Sequence, residues 1–174
     1  MTTITGTSGV DYLADTASGD IIYGLAGGDS IGLSYGSSTA YGGADNDTLT
    51  AGYSNSNTLY GDDGDDTISI AVSAGDYIYG GDGADTITDQ YSTGSNTIYG
   101  GAGNDSIDIA PGSYGDTIYG DAANDSIITN SGSSLVYGGD GNDGIYSGNS
   151  SSGDVDYGGA GYDTIHGSNY NDTI

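Results

Sequence analysis

Apolar residues alternate with Thr, Ser and Gly in short runs, and the runs return at a nearly constant spacing. One apolar series reads Leu13, Ile31, Leu49, Ile68, Ile87, Ile107, Ile127, Ile145 and Ile165. A second series reads Ile4, Ile22, Ala40, Leu59, Ile78, Ile98, Ile118, Val136, Asp156 and Ile174. Such alternation is typical of strands with one buried face. It predicts two inward rows on two sets of strands. Asp156 breaks its row, through either a local distortion or a buried carboxylate with a partner, and we favour distortion.

An Asp lies two residues before each member of the first series and marks a repeat of about two nonapeptides. These residues are Asp11, Asp29, Asp47, Asp66, Asp85, Asp105, Asp125, Asp143 and Asp163. A second series at the equivalent phase reads Asp20, Ser38, Asn57, Asp76, Asn96, Asp116, Ser134, Asp154 and Asp172. From the second series to the next Asp the distance is always 9 residues, whereas the other half-step varies from 9 to 11. Insertions are therefore confined to one edge of a solenoid, and the loops of the other edge align around a shared ligand.

The fixed-length loop is most complete in Tyr99-Gly100-Gly101-Ala102-Gly103-Asn104-Asp105-Ser106-Ile107, which reads Gly-Gly-x-Gly-x-Asp before an alternating strand. Close copies occupy 80–87 and 138–145, and looser copies occupy 24–31, 42–49, 61–68, 120–127 and 158–165. In these residues the chain resembles the RTX (repeats-in-toxin) haemolysin-type calcium-binding repeat family over essentially its whole length. The resemblance implies a right-handed parallel β-roll. We therefore predict one all-β calcium-binding domain, residues 1–174, with about nine coils of two short strands each.

The composition points to an external cation. The chain has no Lys or Arg, and all 25 acidic residues are Asp, which gives a formal charge of −25. The short Asp carboxylate favours turns and binds nearby backbone. This charge excludes nucleic acid and anionic membranes as direct electrostatic partners. A disordered chain can share this composition, but the strict period of the apolar positions argues against disorder.

Calcium suits this chemistry, because oxygen ligands are abundant while Cys is absent and His166 is the single His. Two buried apolar residues per coil are a small core, and stacked Asp columns about 4.8 Å apart repel one another. We infer that Ca²⁺ is part of the fold. The loop glycines would permit positive φ and turn their carbonyls toward the ion. One Ca²⁺ in each of about eight gaps would reduce the charge of −25 to about −9.

The resemblance, carried over position by position, implies a single row of ions along one edge. Its carboxylate ligands would be Asp29, Asp47, Asp66, Asp85, Asp105, Asp125, Asp143 and Asp163. Its loop glycines would be Gly24, Gly42, Gly61, Gly80, Gly100, Gly120, Gly138 and Gly158. Weaker sites are expected where Asp121, Ala122 and Ala123 follow Gly120, and where Asp45 replaces a glycine. A second calcium row is not expected, because only 167–172 resembles the motif on the other edge.

Eight tyrosines share one phase and are predicted to form an outward ladder: Tyr23, Tyr41, Tyr60, Tyr79, Tyr99, Tyr119, Tyr137 and Tyr157. Mutual stacking that stiffens the sheet is the favoured interpretation, and a contact strip for a glycan or a neighbouring molecule is the alternative. Thr triplets such as 48–50 resemble ice-binding arrays, but 106–108 and 126–128 break the array. His166 is predicted to lie on the surface.

The leading functional prediction is a non-enzymatic, calcium-dependent extracellular structural protein. No nucleophile and base can be paired, and Asp62 with Asp63 is better read as a calcium-binding or solvated turn than as a glycosidase pair. Both ends of the sequence already read as strand, which favours coil-on-coil stacking into a filament or surface layer. The alternatives are a calcium-stiffened segment of a larger secreted adhesin or enzyme, and a glycan- or ice-binding module. The resemblance implies type I secretion, and no stretch is apolar enough to enter a membrane.

Overall fold

A computed structural model describes residues 1–91, 94–130, 132–148 and 152–174. These residues form two parallel sheets of nine strands each, with no helix in the described ranges. The odd sheet contains β1 (Thr3–Thr5), β3 (Ile21–Ala26), β5 (Thr39–Ala44), β7 (Thr58–Asp63), β9 (Tyr77–Asp82), β11 (Thr97–Ala102), β13 (Thr117–Ala122), β15 (Leu135–Asp140) and β17 (Val155–Ala160). The even sheet contains β2 (Tyr12–Ala14), β4 (Ser30–Leu33), β6 (Thr48–Gly52), β8 (Thr67–Ala71), β10 (Thr86–Gln90), β12 (Ser106–Ile109), β14 (Ser126–Thr129), β16 (Gly144–Ser147) and β18 (Thr164–His166).

The chain alternates between the two sheets, so each strand pairs with the strand two elements away. The predicted all-β parallel solenoid with two short strands per coil is confirmed, and the strands make about eight full turns. Its right-handed sense stays a prediction. The described part of the chain has no helix that is long and apolar enough to cross a membrane.

The two sheets bury the two predicted apolar rows against each other. Residues such as Ile78 on β9 and Ile87 on β10 are fully buried, and equivalent residues pair in register, as in Ile78 with Ile98. Terminal members of the rows, such as Ile4 and Ile165, are partly buried. The prediction that Ile174 points inward is wrong: it is 69% exposed, because it follows the bridge between Val155 and Thr173 and none of the described strands packs over it.

A third inward row, on the even sheet, was missed. It lies four residues after each motif Asp and includes the buried apolar residues Leu33, Ala51, Ile70 and Ile109. Asp89, Thr129 and Ser147 continue the same row as buried polar residues. This row widens the core toward the second turn of each coil and makes that side of the core partly polar.

The predicted distortion at Asp156 is wrong. Asp156 lies in regular pairing on β17, opposite Val136, and is 1% exposed. Ser147 on the facing sheet donates an Oγ–H hydrogen bond to Asp156 Oδ2 at 2.6 Å. The residue is therefore a buried carboxylate with a partner, and the Ser that supplies the donor belongs to the third inward row.

Candidate calcium-binding edge

The two edges of the roll have turns of different length, as the sequence spacing predicted. Three residues separate β3 from β4, and the same number separates each later odd strand from the next even strand. We call this edge the motif edge; its loops are 24–29, 42–47, 61–66, 80–85, 100–105, 120–125, 138–143 and 158–163. The turns on the other edge, here called the variable edge, are longer and unequal: five residues separate β8 from β9, and six separate β10 from β11.

The motif Asp residues form a continuous hydrogen-bond ladder along the motif edge. The backbone N–H of each Asp donates to Oδ1 of the Asp in the next coil, from Asp11 with Asp29 through to Asp143 with Asp163, at 2.6–3.0 Å. From Asp29 to Asp143 these residues are at most 3% exposed. The ladder fixes one carboxylate per coil at the same height in the stack.

The second oxygen of these carboxylates is buried and has no hydrogen-bond partner among the described residues. This holds for Oδ2 of Asp29, Asp47, Asp66, Asp85, Asp105, Asp125 and Asp143. Leaving a buried anionic oxygen unpaired is costly unless a proton or a cation neutralises it. A row of seven such atoms is therefore the principal unsatisfied feature of this edge.

Backbone oxygens converge on the same places. A β-carbon added to the first glycine of a loop, for example Gly61, would lie less than 3.0 Å from Oδ2 of Asp66 in its own loop and from the carbonyl oxygen of Gly80 in the next coil. The same collision occurs at Gly24, Gly42, Gly80, Gly100, Gly120 and Gly138, and at Gly158 with Asp163 Oδ2. Each of these glycines leaves room for the carboxylate of its own loop, and each except Gly158 also leaves room for a carbonyl oxygen of the next coil.

The positive φ predicted for the loop glycines occurs in these loops, but not at the first glycine. None of the first glycines has φ in the left-handed region; positive φ occurs instead at the second and fourth loop positions, such as Gly81 (φ 124°) and Gly83 (φ 137°). At those two positions the carbonyl oxygens of Asp62 and Gly64 in the preceding coil occupy the place of a side chain. The first glycine is needed for space, whereas the second and fourth are needed for both conformation and space.

The degenerate loops keep this backbone. Asp45, Asp121 and Ala123 adopt positive φ of 78°, 75° and 82°, in a region that the glycines at the equivalent positions of better loops enter without strain. Leu25, in the second loop position of 24–29, also has a positive φ of 91°. The carbonyl positions are therefore retained at a conformational cost, and the predicted weakness of these sites stays a prediction.

Burial, with repulsion between neighbouring carboxylates, raises the pKa of six motif carboxyls: Asp47, Asp66, Asp85, Asp105, Asp125 and Asp143. Desolvation is the largest cause for Asp66 and Asp105, whose pKa values rise to about 7, and repulsion from neighbouring motif carboxylates adds to it. The pKa values of Asp47 and Asp125 rise to about 6, again chiefly by desolvation. The folded edge thus favours neutralisation of its carboxylates, and without a cation protons must provide it.

Asp11 belongs to the same column of motif Asp residues, but its Oδ2 accepts hydrogen bonds. Thr7 stands four residues before it and donates its backbone N–H and its hydroxyl to Asp11 Oδ2, at 2.6 and 2.9 Å. On the other edge Thr16 caps Asp20 in the same way, and these bonds lower the pKa of Asp20. In loops 24–29 to 158–163 the equivalent position is a positive-φ residue, such as Gly81, and such a cap is absent from the seven orphaned carboxylates.

These observations fit a cation held between coils. Among the described residues no three carboxylate or imidazole side chains form a ready metal-binding group, so the ligands available are one or two carboxylates together with backbone carbonyls. An all-oxygen set of this kind suits Ca²⁺. His166 is exposed, as predicted, and its ring lies 6.3 Å from that of Tyr146.

A family profile described as the RTX calcium-binding nonapeptide repeat (4 copies) matches residues 3–32, 41–69, 73–88, 92–108, 119–151 and 157–174. The chain belongs to the RTX calcium-binding repeat family. Its β-roll is thus of a structural, calcium-binding type. No curated protein matches the chain in a sequence comparison.

The variable edge also carries buried carboxylates, which the RTX motif did not predict. Asp76, Asp116 and Asp154 form their own ladder there with Asn and Ser residues, and each has a buried Oδ2 without a partner in the described chain. Desolvation raises the pKa of Asp116 to about 7. The signal that was available is the second Asp/Asn/Ser series, whose members lie nine residues before each motif Asp.

Proposed function

We propose that this chain is a calcium-dependent structural element in which Ca²⁺ binds between successive loops of the motif edge and holds the coils together. The row of seven orphaned Oδ2 atoms carries the proposal. Asp29, Asp47, Asp66, Asp85, Asp105, Asp125, Asp143 and Asp163 would supply carboxylate oxygens. Carbonyls of the loop glycines Gly24, Gly42, Gly61, Gly80, Gly100, Gly120, Gly138 and Gly158 would complete the sites.

In such a site the protein groups would hold the ligand oxygens in place, and the bound ion would stabilise the ordered stack of coils. Each Oδ1 is already used by the ladder, so only Oδ2 is free to ligate, and its orientation is fixed by that hydrogen bond. Ca²⁺ would cancel the repulsion along the Asp column, which the unfolded chain does not suffer at this density. Calcium binding and folding would therefore be one coupled equilibrium.

We further propose that the element is extracellular and non-enzymatic, and that copies stack end to end into a filament or surface layer. Support comes from the translational repeat of the ladder. The N–H of each motif Asp donates to Oδ1 of the Asp in the next coil, as in Asp66 with Asp85 and Asp85 with Asp105, so every coil repeats its neighbour by translation. Coils of two copies that continued this translation would form contacts that do not close into a ring.

Circular dichroism combined with electron microscopy tests both proposals, first in calcium-stripped buffer and then in millimolar Ca²⁺. Calcium-coupled folding predicts little β-signal without the ion and a strong signal with it. A full β-signal in stripped buffer at neutral pH would overturn the calcium proposal. Fibres in Ca²⁺ would support end-to-end stacking, whereas single folded particles would contradict it and favour a stiff segment that serves a larger secreted protein.

A further inference from the structure

The Tyr ladder on the odd sheet is continuous over eight coils. Its seven neighbouring ring pairs have centroids 4.7–5.0 Å apart, with ring planes within 11° of parallel. In-register pairing, as in Tyr79 with Tyr99, holds each ring over the next. The predicted stacking is confirmed, and the stack ties every coil from β3 to β17 to its neighbours.

The arrangement presents ring edges rather than ring faces. The six inner rings, such as Tyr79, are half-buried, and each has a neighbour on both faces. Within the ladder, a sugar that stacks on an aromatic face would find a free face at Tyr23 or Tyr157, the two end rings. The geometry therefore offers close ring-to-ring approach within the chain, with the phenol edges toward solvent.

The composition makes Tyr the principal oxidisable side chain of this protein. There is no Cys and no Trp, and there is one Met and one His against 17 Tyr. Cys and Met are the usual first targets of oxidants, so oxidising equivalents that reach this chain fall mainly on phenols.

We propose that the Tyr ladder is an oxidative cross-linking site, at which a one-electron oxidant of the peroxidase and hydrogen peroxide type joins neighbouring coils through dityrosine bonds. The proposal does not depend on the calcium assignment. The Tyr ladder lies on the odd sheet. Cross-linking is tested in folded protein, so its result does not depend on whether folding requires Ca²⁺.

The chemistry is balanced. Each of two Tyr residues loses one electron to the oxidant and its Oη proton to water, which leaves a phenoxyl radical with spin on the two Cε carbons. One ring of the pair must first turn out of the parallel stack, because a Cε–Cε bond lies in the planes of both rings. The bond then forms between the two Cε carbons, and the hydrogens on those carbons move to the oxygens to restore two phenols. The net reaction is two Tyr plus H₂O₂ giving one dityrosine and two H₂O. Electron exchange between stacked rings would move a radical along the ladder, so that two radicals formed on ladder rings could meet on neighbouring rungs.

Two variants with equal Tyr content test the proposal in millimolar Ca²⁺. The alternate-rung variant carries Tyr→Phe at 41, 79, 119 and 157, so no remaining ladder Tyr has a Tyr neighbour. The control variant carries Tyr→Phe at 12, 53, 114 and 162, which are 56–90% exposed. Both keep 13 of the 17 Tyr, and Phe preserves the stack. Circular dichroism establishes that both are folded before oxidation.

Peroxidase with H₂O₂ is applied to dilute protein, and dityrosine is read by its fluorescence, by gel and by mass spectrometry after cleavage at Asp. Wild type and the control variant are expected to form dityrosine within the monomer band, mapped to neighbouring rungs such as Tyr79 with Tyr99. The alternate-rung variant is expected to lose those cross-links. Cross-links that map mainly to exposed Tyr, or an equal intramolecular yield in both variants, would overturn the proposal. The positions of the dityrosine cross-links in the wild type test the proposal even if a variant misfolds.

Discussion

The motif edge and the variable edge use the same hydrogen-bond geometry with different side chains. On the motif edge Asp66 N–H donates to Asp85 Oδ1 at 2.8 Å, and on the variable edge Asn96 N–H donates to Asp116 Oδ1 at the same distance. The motif edge repeats Asp in every coil. The variable edge alternates Asp with Asn and Ser, so carboxylates are not stacked on carboxylates through the middle of the roll.

The two edges differ in how densely carboxylates are stacked, and this density decides how the buried carboxylates of each edge can be stabilised. On the variable edge an amide can donate where a second carboxylate would repel: Asn57 Nδ2 donates to Ser54 Oγ at 3.0 Å, and Asn96 Nδ2 donates to Asp89 Oδ2 at 2.9 Å. On the motif edge each carboxylate is followed by another carboxylate. We therefore expect amide donors and a few protons to satisfy the variable edge, and a row of cations to neutralise the motif edge.

Matched triple substitutions should separate the edges most strongly. Asn keeps an Oδ1 for the ladder but replaces Oδ2 with an amide nitrogen, which does not ligate Ca²⁺. The motif-edge triple Asp66→Asn, Asp85→Asn, Asp105→Asn should bind fewer Ca²⁺ ions and should gain less β-signal from added Ca²⁺ than the wild type. Isothermal titration calorimetry and circular dichroism measure both effects.

The control is the variable-edge triple Asp76→Asn, Asp116→Asn, Asp154→Asn. Its calcium stoichiometry should be unchanged, because Asn57 and Asn96 already occupy equivalent positions. Equal calcium loss in the two triples would mean that the edges are not distinct in function.

The sequence predicted the architecture well because the architecture is periodic. The two inward rows, the Tyr ladder and the fixed loop length each follow from a residue type that returns at one phase, as with Ile87, Tyr79 and Asp85. Features that depend on contacts between coils were harder to predict from the sequence. The role of Gly80 depends on the carbonyl of Gly100, and the partner of Asp156 is a Ser on the other sheet; neither neighbour can be read from local spacing.

Acid should replace calcium in part. Burial raises the pKa of Asp66, Asp105 and Asp116 to about 7 in the folded roll, against about 3.9 for an unperturbed Asp. Their protonated forms therefore stabilise the fold fully below about pH 4, and that contribution is lost as the pH rises through about 7. One such group is worth up to about 4 kcal/mol.

In calcium-stripped buffer, β-signal should accordingly increase as the pH is lowered from about 8 to about 5. Each triple removes three carboxyls whose pKa is raised, so each should keep only part of this acid response, and only the motif-edge triple should also lose part of its response to Ca²⁺. A calcium-free β-signal that falls on acidification would contradict the assignment of buried, uncompensated carboxylates.

Glycine substitutions compare the space available at the two edges. A β-carbon at Gly83 on the motif edge would collide with the backbone of Gly64, and its φ is 137°. At Gly75 on the variable edge φ is 72° and the nearest atom would be Ser56 Oγ at 3.7 Å. Gly83→Ala should cost about 3 kcal/mol or more and Gly75→Ala about 1 kcal/mol. Urea unfolding in saturating Ca²⁺ measures both, and equal costs would show that the motif loops are not tightly stacked.

The smallest expected effect concerns a carboxylate that has a side-chain donor in place of a cation. Ser147→Ala removes the donor to Asp156 Oδ2 and leaves that buried group unpaired, which should cost about 1–3 kcal/mol. Adding Asp156→Val continues the apolar row from Val136 and should recover that loss, because the pair is then replaced by apolar groups. Urea midpoints of the single and double variants in saturating Ca²⁺ test this. A neutral Ser147→Ala would mean that Asp156 is neutralised without its serine, by a proton, as the motif carboxylates are when calcium is absent.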